Sequence, residues 1–163
     1  NNIFDLLLEF YKKIPAKSIA IAQGGDFIGG SESETAINPK LKRKCMNSFI
    51  CSTERPFKFI GRMNEDVNTY TKSGSMGDLF FTIPYISLSQ LQTQSNEGGI
   101  TEMYLDYGTY VKSFYTVMFS PSCTKIALMG DKNMRLHHRI NWNNAVPVIL
   151  DEKYKKEKVL VTN

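Results

Sequence analysis

The stretch Arg55-Pro56-Phe57-Lys58-Phe59-Ile60-Gly61-Arg62-Met63-Asn64-Glu65-Asp66-Val67-Asn68 sets the reading of the chain. Its apolar run, Phe57 to Ile60, is entered after a proline and left at a glycine, the pattern of a short strand. The polar cluster Arg62 to Asn68 then falls at the carboxyl end, where open α/β sheets place their ligands. Within the cluster, the adjacent carboxylates of Glu65 and Asp66 repel each other unless a cation or a set of hydrogen-bond donors compensates. A hard divalent ion, Mg²⁺ or Mn²⁺, supplies that compensation, commonly through one or two carboxylates plus substrate phosphates. A loop in which Asp66 caps a turn and Glu65 faces water is the alternative.

Working outward, Ile3, Phe4, Leu7, Leu8, Tyr11 and Ile14 recur close to the 3.6-residue helical period, predicting an N-terminal helix over residues 1–15 that Pro15 ends. Ser18 to Ala22 reads as a strand running into the glycine-rich Gln23-Gly24-Gly25-Asp26 and Phe27-Ile28-Gly29-Gly30-Ser31. Asn38-Pro39 is a helix start, with Asn as cap and Pro preorganised in the first turn. It predicts a basic helix from Pro39 to Cys51 that exposes Lys40, Lys42, Arg43, Lys44 and Asn47. Leu79 to Tyr85 and Lys125 to Met129 are predicted strands, Thr101 caps a possible helix, and Lys112 to Phe119 fits strand or helix. Arg135 to Trp142 is a candidate strand carrying His137 and His138, and residues 151–163 form a charged tail. The expectation is one α/β domain over residues 1–163, a mixed, mostly parallel sheet flanked by helices.

Composition bounds the function. With 163 residues, 42% hydrophobic and 12% aromatic, the chain holds enough bulk for one core, which excludes intrinsic disorder. No apolar run approaches the ~20 residues of a membrane-spanning helix, so no membrane partner is expected. A net charge of +4 is too mild for nonspecific coating of nucleic acid, so any role for charge depends on where it is placed. Three cysteines without a CxxC pair point to reduced thiols. No basic start followed by an apolar stretch is present, so a cytoplasmic location is expected.

The glycine-rich segments lack GxxxxGK[ST] and GxGxxG, which removes Walker-type kinases and dinucleotide-binding dehydrogenases; GxSxG and HExxH are absent too. Clustered cations at Lys40 to Lys44 suit phosphate groups, although a solvated helix face accounts for them as well. His137 and His138 are the only histidines. On a strand they point to opposite faces, so one of them can face a site as a metal ligand while packing explains the other.

Several blocks carry a resemblance: Lys42-Arg43-Lys44-Cys45-Met46-Asn47-Ser48-Phe49, Arg55 through Tyr70, Thr93-Gln94-Ser95-Asn96-Glu97-Gly98-Gly99, Gly108 through Tyr115, and Arg135-Leu136-His137-His138-Arg139-Ile140-Asn141-Trp142. Together they resemble phage- and prophage-encoded DNA-modification proteins similar to the TET-associated glycosyltransferases, which attach sugars to hydroxylated bases. The resemblance implies a nucleotide-diphospho-sugar transferase-like (GT-A-like) fold and a nucleotide-sugar donor. It also implies DNA as acceptor, Mg²⁺ or Mn²⁺ as cofactor, and the cytoplasm of the bacterial host as location. Asn64-Glu65-Asp66 stands for the strand-end DxD triplet, with Asn64 in place of its first acid. Glu65 and Asp66 are then the catalytic pair. Asp66, His137 and His138 are the candidate metal ligands, and Asp26, Arg43, Lys44, Asn47 and Arg62 hold the nucleotide. A noncatalytic nucleic-acid-binding protein and a metal-dependent nuclease are the competing readings. The nuclease lacks its usual E-x-K, since no lysine follows Asp66 before Lys72.

Overall fold

In the computed structural model the described residues are 2–23, 29–38, 48–89, 101–108, 110–130 and 134–147. Helix α1, Ile3–Lys13, starts where the Asn2 side chain accepts from the Phe4 amide and buries Leu7 and Tyr11. Its last turn is closed by a distant residue. The Arg55 guanidinium donates to the Ile14 carbonyl at 2.6 Å and the Tyr11 carbonyl at 3.0 Å, and lies 3.8 Å over the Tyr11 ring. A cation at a helix C-terminus satisfies orphan carbonyls and complements the helix dipole. The Tyr11 hydroxyl in turn donates to the Lys17 carbonyl and accepts from the Ser52 amide, both at 3.0 Å.

Strand β1, Ala16–Gln23, is central in a three-stranded sheet of order β2-β1-β3, where β2 is Phe49–Cys51 and β3 is Leu79–Leu88. β2 runs antiparallel and β3 parallel to it, so the expected mostly parallel sheet is only partly parallel. Leu79 joins α1 residues Leu7 and Tyr11 in one core cluster, whereas its neighbour Phe80 joins Val67 and Tyr70 in another. Successive strand residues face opposite sides, so the sheet has a core on each face.

The structure corrects two readings. Phe57 to Ile60 forms no regular element and pairs with no strand among the described residues. Its polar backbone is satisfied elsewhere: the Ile60 amide donates to Thr69 Oγ1 at 2.9 Å, and the Ile60 carbonyl accepts from Asn68 Nδ2 at 3.0 Å. Its aromatic character serves packing, with the Phe57 ring 5.2 Å from Phe80 and 5.9 Å from Phe49. The predicted helix from Pro39 to Cys51 is also wrong at its end. Phe49-Ile50-Cys51 is strand β2, because a bulky apolar triplet beside β1 gains ladder pairing that outweighs helical periodicity. The rest of that segment, and the tail at 151–163, lie outside the described residues.

Helices and a separate strand pair make up the rest of the described fold. Two short helices, α2 (Glu34–Ile37) and α4 (Thr101–Tyr107), accompany the longer α3 (Glu65–Ser75) and α5 (Tyr110–Phe119). The ambiguous Lys112–Phe119 stretch is thus helical, and the buried Thr116 hydroxyl donates to the Lys112 carbonyl one turn earlier. Strands β4, Thr124–Met129, and β5, Arg135–Ile140, form a separate antiparallel pair packed on α5. The chain then turns into α6, Trp142–Ala145, capped by the Asn141 side chain. Helices α3 and α6 approach so closely that a Cβ on Gly74 would run into the Ala145 carbonyl oxygen.

Two stability changes follow from this packing. Tyr11→Phe strands the Ser52 amide and the Lys17 carbonyl and should lower stability by about 1–3 kcal/mol, read as a lower urea midpoint with an unchanged m-value. Gly74→Ala should cost about 1–3 kcal/mol by overpacking, and a variant as stable as the parent would show that α3 and α6 sit farther apart.

Candidate functional site

The site begins with how α3 holds the loop before it. Asn68 is fully buried, and its Nδ2 donates to the Ile60 carbonyl at 3.0 Å and the Met63 carbonyl at 2.9 Å. Thr69 Oγ1 donates to the Glu65 carbonyl at 2.6 Å while accepting from the Ile60 amide. At Gly61, where φ is +82°, a Cβ would stand 2.9 Å from the Phe119 ring and 3.0 Å from Asn68. The positive φ and the close approach both call for glycine. Residues 61–64 are therefore fixed against the helix they lead into.

Asn64 is the N-cap of α3 in the left-handed conformation (φ 55°, ψ 33°), the one non-glycine with positive φ among the described residues. Asparagine tolerates this conformation better than most residues. Its side chain makes no capping bond to the helix. Instead Nδ2 donates to Thr116 Oγ1 on α5 at 2.7 Å and lies 3.4 Å from His138 Nδ1 on β5. The triplet Asn64-Glu65-Asp66 thus sits at a helix start rather than a strand end, and it meets one of the two histidines across 74 residues of sequence.

Strand alternation alone would put the two histidines on opposite faces, but it does not keep their rings apart. In the β4–β5 register His138 opposes Ile126 and His137 opposes Ala127. His137 Nδ1 is 2.9 Å from the His138 carbonyl oxygen. A carbonyl only accepts, so this nitrogen carries the proton and Nε2 is the one left for a ligand. The two rings lie 4.2 Å apart.

Around Asp66 a charged group assembles from four elements. Burial, then the neighbouring Arg135 charge, hold the Lys112 ammonium below its ordinary value of 10.5, and Asp66 opposes them. Burial, then the charges of Glu65 and Asp66, raise the Tyr104 phenol above its ordinary 10.0. Lys112 Nζ is 5.6 Å from the Tyr104 ring centroid, a cation–π distance. These residues, with Thr116, are ones that sequence reasoning missed. Lys112 and Thr116 are one helical turn apart on α5, a signal open only once that stretch is read as a helix.

Of the residues expected to bind nucleotide, Arg62 is exposed in the loop before α3. Asp26, Arg43, Lys44 and Asn47 lie outside the described residues. No group of three or more His, Cys, Asp or Glu side chains that could cage a metal ion occurs among the described residues. Of the expected metal ligands, Asp66 is in the first turn of α3 and His138 meets the preceding Asn64, so a Mg²⁺ or Mn²⁺ ion here would need substrate phosphates to complete its shell.

The lowered Lys112 value has a definite sign. An unfolded lysine binds its proton more tightly, so this group's destabilising contribution is relieved as pH rises from its folded value toward 10.5. Asp66→Asn removes the one opposing charge and should lower the Lys112 value further, measured by NMR titration of the lysine side chain. Asn64→Gly keeps the left-handed backbone but loses the bonds to Thr116 and His138, and should cost about 0.5–1.5 kcal/mol in thermal denaturation.

No curated protein and no solved structure matches the chain. The sequence profile described as TET-Associated Glycosyltransferase matches residues 1–99, a span that includes Asn64, Glu65 and Asp66 and stops before Thr116 and His138. That match covers more than half of the 163 residues, and the chain belongs to the TET-associated glycosyltransferase family.

Proposed function

We propose that the protein transfers a sugar from a nucleotide-sugar donor to a hydroxylated base of DNA, as a phage-encoded DNA-modifying enzyme acting in the bacterial cytoplasm. The family supports a glycosyltransferase-like activity. One observation carries the reading further: the start of α3, the Thr116 and Lys112 side of α5, and His138 on β5 converge on Asn64 and Asp66. A helix start favours negative charge, and an incoming diphosphate is such a charge. Lys112 would offset the charge that develops on the diphosphate as its bond to the sugar breaks. Exposed Glu65, at the first position of α3, would take the proton from the attacking hydroxyl. Asp66 and His138 would hold Mg²⁺ or Mn²⁺ together with the donor phosphates, and the ion would neutralise the leaving group. A GT-A-like arrangement is part of the proposal, supported by the parallel β1–β3 pair with helices on its two faces.

A metal-dependent nuclease remains the second reading for one reason. The lysine absent from the local sequence after Asp66 is supplied in space by Lys112. Incubating hydroxymethylated DNA with nucleotide-sugars and Mn²⁺ should yield a donor-dependent mass gain, and Asp66→Ala should reduce it at least about a hundredfold with an unchanged circular dichroism spectrum. Strand scission with Mg²⁺ alone and no mass gain would move the assignment to the nuclease.

A further inference from the structure

Away from the Asn64–His138 contact, an open groove of about 520 Å³ lies between the start of the β4–β5 pair and α6. Its lining combines three chemistries. Lys125 and Arg139, directly opposed on the two strands and both exposed, give it paired cations. Trp142, half-buried, gives it an indole that Tyr70 stacks upon at 5.7 Å and 18°. Asn141, Asn143 and Thr124 give it polar groups; Thr124 is 5% exposed, and its Oγ1 has no hydrogen-bond partner among the described residues. The charge continues beyond the groove. Arg135 shares the face of Arg139, about 14 Å further along β5 at the ~3.4 Å rise of an antiparallel strand, and it too is exposed. Neither β4 nor β5 contains an acidic residue.

We infer that this groove and the adjoining β4–β5 face bind a single strand of nucleic acid. The spacing of the cations decides the class of ligand. A lone nucleotide has one phosphate cluster and would use Lys125 and Arg139 alone, whereas Arg135 lies beyond its reach and suits successive phosphates of a chain. An indole in a groove wide enough for a base is the usual stacking platform for single strands, whose bases have exposed faces. A duplex keeps its bases stacked on one another and would meet only the cations. The inference deepens the acceptor half of the proposed function and rests on it for the destination of the sugar; strand binding itself needs neither donor nor metal.

The test is an anisotropy titration of the full chain with a fluorescein-labelled 12-nucleotide single strand and the matching duplex, without nucleotide-sugar or divalent ion. The single strand should bind more tightly than the duplex and quench the fluorescence of Trp142, the protein's one tryptophan. K125E/R139E should weaken binding at least about tenfold and reduce the slope of log Kd against log salt by about 1.4, two phosphate contacts at ~0.7 each. Donor binding, read by thermal shift with nucleotide-sugars, should survive in that variant and would report an intact fold. Unchanged strand affinity in K125E/R139E would overturn the inference, as would equal affinity for single strand and duplex with no quenching. A wild-type chain that binds nucleotide-sugar but no strand would overturn the groove and leave the transferase reading standing. Strand binding without any donor binding or mass gain would do the reverse.

Discussion

One buried amide organises the molecule's functional half. Asn68, at 0% exposure, spends both of its Nδ2 hydrogens on the carbonyls of Ile60 and Met63, the two ends of the turn that precedes α3. Such bonds cost more to lose than they are worth on average, because a buried carbonyl left without a donor keeps its full desolvation penalty. Thr69 adds a third tie to the same turn through the Ile60 amide. The helix thereby sets the path of the chain leading into it, and Asn64 is delivered to Thr116 and His138 in a left-handed conformation.

This arrangement explains why the sequence pattern predicts a strand at Phe57 to Ile60 where the structure has none. Phe57-Lys58-Phe59 alternates bulky and polar side chains as a strand does. Periodicity reports which side chains face a core, not where amides find partners, and here Asn68 and Thr69 supply what a neighbouring strand would have supplied. The acidic pair was visible because adjacent carboxylates are unusual in any local setting. Its placement in the first turn of a helix follows from the same residues, since Glu65 and Asp66 complement the dipole there. Lys112, Thr116 and Tyr104 were not legible, because their importance depends on tertiary packing of a stretch whose local pattern fitted two structures.

The electrostatics around Asp66 tie the fold to the chemistry. Burial disfavours the charged form of Lys112 and Arg135 repels it, so the lysine is held ionised less firmly than one at the surface. An anion brought beside Lys112 would offset that penalty.

The Asn64–His138 contact has a further consequence, for the order in which the molecule is made. Its partners are separated by 74 residues, whereas the β4–β5 pair, α3 and α5 are built from local contacts. Closing so long a loop has an entropic cost that local elements do not face, so contacts of this kind form late in folding. The first 99 residues, which carry the family's signature, hold only one side of the site. A chain still emerging during synthesis, or one collapsed without its last hairpin, has the acidic triplet but not the histidine across from it. The Asn64–His138 contact therefore exists only once the last hairpin has joined the fold.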